Sequence, residues 1–140
     1  MSVIVTGVFP VLVTDSMARS RAFYEEFFGF QPVFEADWYV QLANPSQPAL
    51  QLALVVAGHE TVPAGDQRPN RSVIVTVEVD DVNRVFERLQ AAGTPLLATP
   101  RDEPWGQRHF FAIDPAGFLI DVVMPIEPSA DSAAAYVHAS

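Results

Sequence analysis

The sequence contains neither cysteine nor lysine, and these two absences exclude several kinds of chemistry. Without cysteine the chain has no disulfide, no thiolate nucleophile and no cysteinyl metal site. All eight basic residues are arginine, so Schiff-base lysine catalysis is excluded as well. The formal net charge of -9 argues against nucleic acid as a partner, because phosphates require a basic surface. Solubility explains this acidity most simply, although it also favours a cationic ligand.

The chain also lacks a long apolar run. No stretch of about eighteen apolar residues is present, and residues 1–13 include the polar Thr6 and Pro10 without a preceding basic region. We therefore expect no membrane span, no signal peptide and a cytoplasmic location. The length of 140 residues suits a single domain with a substantial core.

The clearest local signal is a hairpin in the second half of the chain. Two β-rich apolar runs, residues 108–113 and 118–124, flank an Asp-Pro-Ala-Gly turn in which proline presets φ and glycine supplies the positive-φ position. Asp121 is the lone carboxylate of the second run. Burying a bare carboxylate is too costly, so Asp121 must reach water, a partner, a metal ion or a ligand.

Two halves of the sequence repeat one order of predicted elements. The first half predicts a strand at residues 3–13 and a helix at residues 17–28, whose aromatic face we expect to be core. The second half predicts a strand at residues 72–79 and a helix from Val82 that stops at Gly93. Three strands are predicted after each helix, at residues 30–35, 38–43 and 50–56 and at residues 94–98, 108–113 and 118–124.

This duplication predicts an α+β fold of two tandem βαβββ modules within one domain, residues 1–140. A stretch rich in Gly, Pro and charge is the best linker between the modules, and residues 99–107 predict a polar loop. The tail is expected to be loose or to hold a short helix capped by Ser129 or Asp131. The predicted boundaries are about residues 3–56 for module one, 57–70 for the linker, 71–124 for module two and 125–140 for the tail.

The ordered motifs resemble the vicinal oxygen chelate superfamily, the group of glyoxalase I, bleomycin resistance proteins and extradiol dioxygenases. The resemblance rests on Phe23-Tyr24 in the first helix, Phe28-Gly29 after it, and the closing Asp-Pro-x-Gly-x-x-Ile-acid strand that ends in Asp121. It covers about residues 8–124. It implies that each module curls its strands into a cupped sheet and that the cups enclose one ligand cavity.

The resemblance also implies four metal-ligand positions, which fall at Val8, Gln51, Ile74 and Asp121. Valine and isoleucine have no donor atom, so we expect the usual metal site to be absent. A set made of Gln51, His109 and Asp121 is the alternative, although an amide oxygen is a poor ligand for a catalytic divalent ion. We therefore predict no metal and no other cofactor, with a divalent metal as the alternative.

Metal-free members of the family include acidic, dimeric drug-binding resistance proteins. The resemblance therefore implies metal-independent binding or sequestration of a small aromatic or cationic molecule such as an antibiotic, in a homodimer that exchanges its first strand near Pro10 or only bends there. One alternative is a glyoxalase-like or dioxygenase-like enzyme with an atypical metal set, or a metal-free lyase or isomerase with Asp121 or His109 as general base. Another is a structural or regulatory module with a filled cavity.

The predicted ligand contacts combine aromatic rings with a few polar groups. Trp105 either covers a pocket, stacks on a planar ligand or packs locally, and Arg108 pairs with an acidic ligand, with Asp121 or with Asp102, Glu103 or Asp114. His59 and His138 are expected to be solvated. The full predicted set is Trp38, Tyr39, Gln51, Trp105, Arg108, His109 and Asp121.

Overall fold

The computed structural model describes residues 3–69 and 72–137, so the predicted position of His138 lies outside the described residues. These residues form two compact units. The first unit covers the described residues up to Ser72 together with Pro115–Gly117, and the second covers Val73–Asp114 and the described residues from Phe118 onward. None of the helices in residues 3–69 and 72–137 has the length and apolar composition that a membrane crossing requires.

Each unit contains one four-stranded mixed sheet and the helix that follows its first strand. In the first sheet the strand order is β1-β4-β3-β2, and in the second it is β5-β8-β7-β6, with the first strand parallel to its neighbour in both. The predicted α+β fold with a duplicated βαβββ order is confirmed. The elements are β1 (Val11–Thr14), α1 (Met17–Phe28), β2 (Gln31–Glu35), β3 (Tyr39–Asn44), β4 (Gln47–Val56), β5 (Ile74–Glu78), α2 (Val82–Ala91), β6 (Arg101–Glu103), β7 (Gln107–Ile113), β8 (Leu119–Pro125) and α3 (Ala130–Ala133).

Helix α1 has the predicted bounds and buries the predicted aromatic face. Phe23 and Tyr24 are buried and meet edge to face, with ring centroids 5.1 Å apart. The helix ends at Gly29, whose φ of 71° is a left-handed conformation that glycine adopts without a Cβ penalty. The N–H of Gly29 donates to the carbonyl of Glu25 and the N–H of Phe30 to that of Tyr24, so these two carbonyls of the last turns have partners.

Strand alternation divides each sheet into a face covered by its helix and an opposite face, called here the helix-distal face. Thr14 of β1 contacts Ser20 of α1, and Phe110 of β7 contacts Phe86 of α2 with ring centroids 5.2 Å apart. The buried apolar side chains on the helix-covered faces are Leu12, Val40, Leu42, Leu52 and Leu54 in the first sheet and Val75, Phe110, Ala112, Ile120 and Val122 in the second.

The predicted strand at residues 3–13 is wrong for most of its length, because β1 begins only at Val11. Pro10 has no N–H to donate, so the ladder begins after it. Its carbonyl still accepts a hydrogen bond of 2.9 Å from the N–H of Ala53. The residues before Pro10 have no strand partner, and several of their apolar side chains are exposed.

The predicted strand at residues 94–98 is also wrong, and the strand lies instead in the predicted loop 99–107. Leu96 makes only an isolated bridge to Ala112. Pro95 and Pro100 remove donors from this stretch, so a continuous ladder forms only from Arg101 onward, as β6.

A fully buried pair of hydroxyls ties β1 to α1 and gives a test of this packing. The Oγ atoms of Thr14 and Ser20 lie 2.6 Å apart, and Thr14 Oγ1 also accepts from the N–H of Ser16 at 3.0 Å. We expect Thr14→Val to lower the free energy of unfolding by about 1–3 kcal/mol, because the buried hydroxyl of Ser20 and the partly buried N–H of Ser16 both lose their partner. Ser20→Ala should lower it by about 1 kcal/mol. Urea unfolding measures both values.

We expect the double variant Thr14→Val/Ser20→Ala to lower the free energy of unfolding little more than Thr14→Val alone does, because the serine hydroxyl has already lost its partner in the single variant. Strictly additive losses in this cycle would show that the two hydroxyls act independently.

Candidate ligand-binding site

Three neighbouring strands bring Glu103, His109 and Asp121 onto one face of the second sheet. Arg101 of β6 is opposite His109 of β7, and Phe111 of β7 is opposite Asp121 of β8. Residues two apart on a strand share a face, so all three titratable side chains project from the helix-distal face. The register of β6, β7 and β8 therefore assembles the cluster.

His109 lies between the two carboxylates and contacts both. Its Nε2 lies 2.8 Å from Oε2 of Glu103, and its Nδ1 lies 2.8 Å from Oδ1 of Asp121. Arg101 holds Glu103 from the other side, with its Nε and Nη2 donating to the two carboxylate oxygens at 2.9 and 3.0 Å. Both ring nitrogens are therefore occupied by carboxylates from different strands.

The surroundings of His109 favour its protonated form. Burial alone lowers the pKa of His109, but the hydrogen bonds to Glu103 and Asp121 and their negative charges outweigh it, so the pKa is raised. A neutral imidazole has a single N–H and would turn a lone pair toward one of the carboxylates. The pKa of Glu103 is lowered, first by its hydrogen bond from Arg101 and then by that from His109.

Asp121 uses one oxygen for His109 and keeps the other available. Among the described residues Oδ2 of Asp121 has no hydrogen-bond partner, and no buried polar side-chain atom there lacks one. Oδ2 is therefore reachable from solvent, which agrees with the 16% exposure of the side chain. A carboxylate held by one oxygen and open at the other is suited to accept a hydrogen bond or a cation.

Aromatic rings stand beside this carboxylate cluster. The rings of Trp105 and Phe111 meet His109 edge-on, with centroids 6.3 and 5.3 Å away. Trp105 is 44% exposed, and its Nε1 donates to Oε1 of Gln107 at 2.8 Å. A pocket of about 250 Å³ opens at Glu103 and His109, and its walls are Ala98, Thr99, Arg101, Glu103, His109, Phe110 and Phe111.

The predicted residues of the first unit form a separate polar chain on the helix-distal face of their own sheet. The Tyr39 hydroxyl donates to Oε1 of Gln41 at 2.5 Å, and Nε2 of Gln41 donates to Oε1 of Gln51 at 2.8 Å. Nε2 of Gln51 in turn donates to the carbonyl of Pro48 at 2.8 Å. Burial raises the pKa of Tyr39, so its hydroxyl remains a donor.

Trp38 makes a contact that the sequence did not predict. Its indole stacks on the ring of His59, with centroids 4.3 Å apart and planes 10° from parallel. His59, expected to be solvated, is half-buried, and its Nδ1 lies 2.9 Å from Oγ1 of Thr61.

Arg108 lies on the helix-covered face of β7, opposite to His109. Its Nη1 donates to Oδ1 of Asp102 at 3.0 Å, and its Nε donates to Oδ1 of Asn83 in α2 at 3.0 Å. The predicted structural pairing with Asp102 is therefore confirmed, and the partner of Asp121 is His109. Of the predicted contacts, the second unit brings Trp105, His109 and Asp121 together, and the first unit contains Trp38, Tyr39 and Gln51.

The profile of the Glyoxalase/Bleomycin resistance protein/Dioxygenase superfamily matches residues 7–122 of this chain. The chain belongs to this superfamily. No curated protein matches it. Among solved structures it is similar to a glyoxalase/bleomycin resistance protein/dioxygenase from Nocardioides, with 26% identity, a TM-score of 0.70 and coverage of 91% of this chain and 87% of the other.

Two further solved structures are similar to this chain. A glyoxalase-related enzyme from Fulvimarina pelagi is 26% identical, with a TM-score of 0.68 and coverage of 86% of this chain and 88% of the other. A superfamily member from Sphaerobacter thermophilus is 20% identical, with a TM-score of 0.71 and coverage of 86% and 98%, and it bears on the fold alone.

The residues at the superfamily's metal-ligand positions do not fit a metal ion in this member. Val8 and Ile74 have no donor atom, and both are exposed apolar residues. The oxygen of Gln51 already accepts from Gln41. Within residues 3–69 and 72–137 no group of three or more His, Asp or Glu side chains is arranged to hold a metal. The alternative set of Gln51, His109 and Asp121 loses His109, because both of its nitrogens are engaged by carboxylates.

Sequence reasoning missed Arg101, Glu103 and Gln41 as members of these two polar groups. Arg101 and Glu103 lie in the predicted loop 99–107, because their three-residue strand is too short to give an alternating signal. Gln41 is two residues after Tyr39 on a predicted strand, and this spacing is the signal that places both side chains on one face.

The buried histidine makes stability depend on pH. Because the pKa of His109 is raised on folding, its contribution is fully present below the unfolded value of about 6.5 and is lost as pH rises through the folded pKa. We expect the wild-type free energy of unfolding to fall over that interval and His109→Gln to remove the slope. Urea unfolding at a series of pH values measures it.

The matched control is His59→Gln, which lies outside the cluster and should retain the slope. An NMR titration of the His109 ring supplies an independent readout. A folded-state pKa of His109 at or below about 6.5 would contradict the assigned hydrogen bonds.

Proposed function

We propose that this superfamily member binds a small aromatic cation without the help of a metal ion. The observation that carries the proposal is the Asp121 carboxylate, which His109 fixes through Oδ1 while Oδ2 faces solvent. A fixed, accessible carboxylate beside aromatic rings provides a counter-charge and a stacking surface for a planar cation.

The charges of the helix-distal face support a cation rather than an anion. Within the cluster the charges of Arg101 and protonated His109 balance those of Glu103 and Asp121. Glu78 of β5 adds a further exposed acidic side chain to the same face. The net charge of -9 acts in the same direction at longer range.

The aromatic contacts support a planar ligand of modest size. Trp105 leaves 44% of its surface exposed beside His109. The pocket of about 250 Å³ is slightly below the range of roughly 300–1,000 Å³ that is typical for drug-sized ligands. It therefore suits a small ring system or one end of a larger molecule. Sequestration of a cationic antibiotic is the biological role we propose, and a cytoplasmic location stays a prediction.

A second candidate function is metal-free proton abstraction by Asp121. The contact that favours it is the 2.8 Å hydrogen bond from His109, which orients the carboxylate as an auxiliary group orients a general base. His109 itself is a poor candidate base, because carboxylates occupy both of its nitrogens. The two functions differ in whether the bound molecule is recovered unchanged.

Binding of N-methylacridinium and of uncharged acridine, at a pH above the pKa of acridine, tests the proposal with two nearly isosteric probes. We expect the cation to quench Trp105 and to bind more tightly than acridine, with or without EDTA. Asp121→Asn should weaken binding of the cation by about tenfold or more, because it removes a charge-assisted contact, and should leave the affinity for acridine almost unchanged.

Glu87→Gln is the matched control, because it removes an exposed carboxylate from α2 on the other side of the sheet. Equal affinities for the two probes, or loss of binding in EDTA, would refute metal-free recognition of a cation. Conversion of a bound molecule that disappears in Asp121→Asn would favour the general-base alternative.

We also propose that the chain forms a homodimer through its N-terminal residues. Val3, Ile4 and Val8 are 86%, 89% and 83% exposed, and they precede Pro10 without a strand partner in the described residues. Apolar side chains gathered in one exposed segment favour burial against a second copy, whether by docking or by exchange of the segment.

Light scattering coupled to gel filtration tests this proposal. We expect a dimer for the wild-type chain and a monomer for Ile4→Glu/Val8→Glu, because each charge would have to be buried in the interface. Val137→Glu, which alters a side chain that is 92% exposed at the other end, is the control and should remain dimeric. A monomeric wild-type chain would refute the proposal.

A further inference from the structure

The residues that follow β8 return to the turn that carries Trp105. We call residues 126–137 the strap. The turn joins β6 to β7 and consists of Pro104, Trp105 and Gly106. Neither segment belongs to the carboxylate cluster, but the turn connects Glu103 directly to the strand of His109.

Each of the three turn carbonyls accepts a hydrogen bond from the strap. The N–H of Ile126 donates to the carbonyl of Gly106 at 2.9 Å, and the N–H of Ser129 donates to that of Pro104 at 2.7 Å. The hydroxyl of Tyr136 donates to the carbonyl of Trp105. Since the donors lie at the start, the middle and the end of the strap, the turn is held along its whole length.

The close approach of the two segments depends on Gly106. Its φ is 105°, a conformation that disfavours other residues. A Cβ at this position would lie 2.9 Å from the carbonyl oxygen of Ile126 and 3.2 Å from Cβ of Pro128. Position 106 therefore requires glycine for two reasons, its positive φ and the lack of space for a Cβ beside the strap.

Helix α3 brings Tyr136 back to the turn. The side chain of Ser129 accepts from the N–H of Ser132 at 3.1 Å, as the sequence predicted for a capped helix. Tyr136 follows the helix and is 60% exposed. A tyrosine this exposed buries little apolar surface, and its hydroxyl donates to the carbonyl of Trp105.

We propose that the strap is a positioning element of the ligand site, with Tyr136 as its latch. By holding the carbonyl of Trp105, the strap keeps the indole beside His109, 6.3 Å away between ring centroids. Trp105 is then already in place when a planar ligand arrives, and binding does not have to order the turn. The ligand half of this inference rests on the proposed function, whereas the order imposed on Trp105 does not.

Acrylamide quenching of Trp105 tests the positioning without any ligand. In a Trp38→Phe background Trp105 is the only tryptophan. We expect Tyr136→Phe to raise the quenching constant by up to about twofold, because Trp105 is 44% exposed in the latched turn. Val137→Ala, at a side chain that is 92% exposed, is the matched control and should leave the constant unchanged.

A second variant removes a different contact of the strap. Ser129→Pro removes the N–H that donates to the carbonyl of Pro104, while the φ of -63° at this position suits proline. Ser129→Ala is its control, because it loses only the cap of α3. Increased quenching in Tyr136→Phe and Ser129→Pro supports the proposal. Quenching at the level of the controls in both variants would overturn it.

The affinity for N-methylacridinium, measured in the chain that retains Trp38, tests the ligand half. We expect Tyr136→Phe to weaken binding by about two- to tenfold, because binding must then order a turn that this hydrogen bond no longer holds. An unchanged affinity in a variant whose Trp105 has become more accessible would refute the claim that the order of Trp105 contributes to ligand binding. If the wild-type chain does not bind the cation, the proposed function fails, while quenching still decides whether the strap positions Trp105.

Discussion

His109 can remain buried between Glu103 and Asp121 only while the charges of all three groups are compensated. In the protonated form that its raised pKa favours, His109 donates to both carboxylates, and the guanidinium of Arg101 donates to both oxygens of Glu103. Removing the proton from His109 would leave a nitrogen lone pair facing a carboxylate. This balance ties β6, β7 and β8 together across the helix-distal face, and the turn that contains Trp105 begins directly after Glu103.

A buried ionic cluster of this kind is not an efficient way to stabilise a sheet. The cost of desolvating the charges offsets much of their mutual attraction, and apolar residues of similar size often give the same or greater stability. The same sheet shows this on its helix-covered face, where Phe110, Ile120 and Val122 are buried without any polar contact from their side chains. The charged face is therefore better explained by what it holds available, which is an oriented carboxylate oxygen at Asp121.

The sequence was sufficient for the fold because the fold depends on local signals that repeat. The helix at residues 17–28, its C-cap at Gly29 and the hairpin around Asp-Pro-Ala-Gly are each specified by neighbours in the chain. The errors at residues 3–13 and 94–98 arose where proline removed donors that apolar composition alone does not reveal. Asp121 was correctly expected to need a partner, but that partner depended on the register of β7 and β8.

Register also explains why Arg101 and Glu103 could not be placed beside His109 from composition. Their strand has three residues, too few for a periodic pattern, and it exists because β7 offers an edge to pair with. Once Arg101 is fixed opposite His109, the alternation of the strand places Glu103 on the same face, and the cluster follows.

The superfamily fold and the chemistry of this member are separable, because chemistry resides in the side chains that a fold presents. Val8 and Ile74, which have no donor atom, occupy two of the four metal-ligand positions that the resemblance implies. At a third, the carboxylate of Asp121 contacts His109 of the neighbouring strand. A carboxylate that binds a metal needs further donors aimed at the same point, whereas here the nearest donor is aimed at the carboxylate itself. At this position, which the family resemblance assigns to a metal ligand, the structure has a carboxylate held by His109. In the function we propose, this anchored carboxylate and the exposed ring of Trp105 select a ligand by charge and planarity rather than by a metal-binding group.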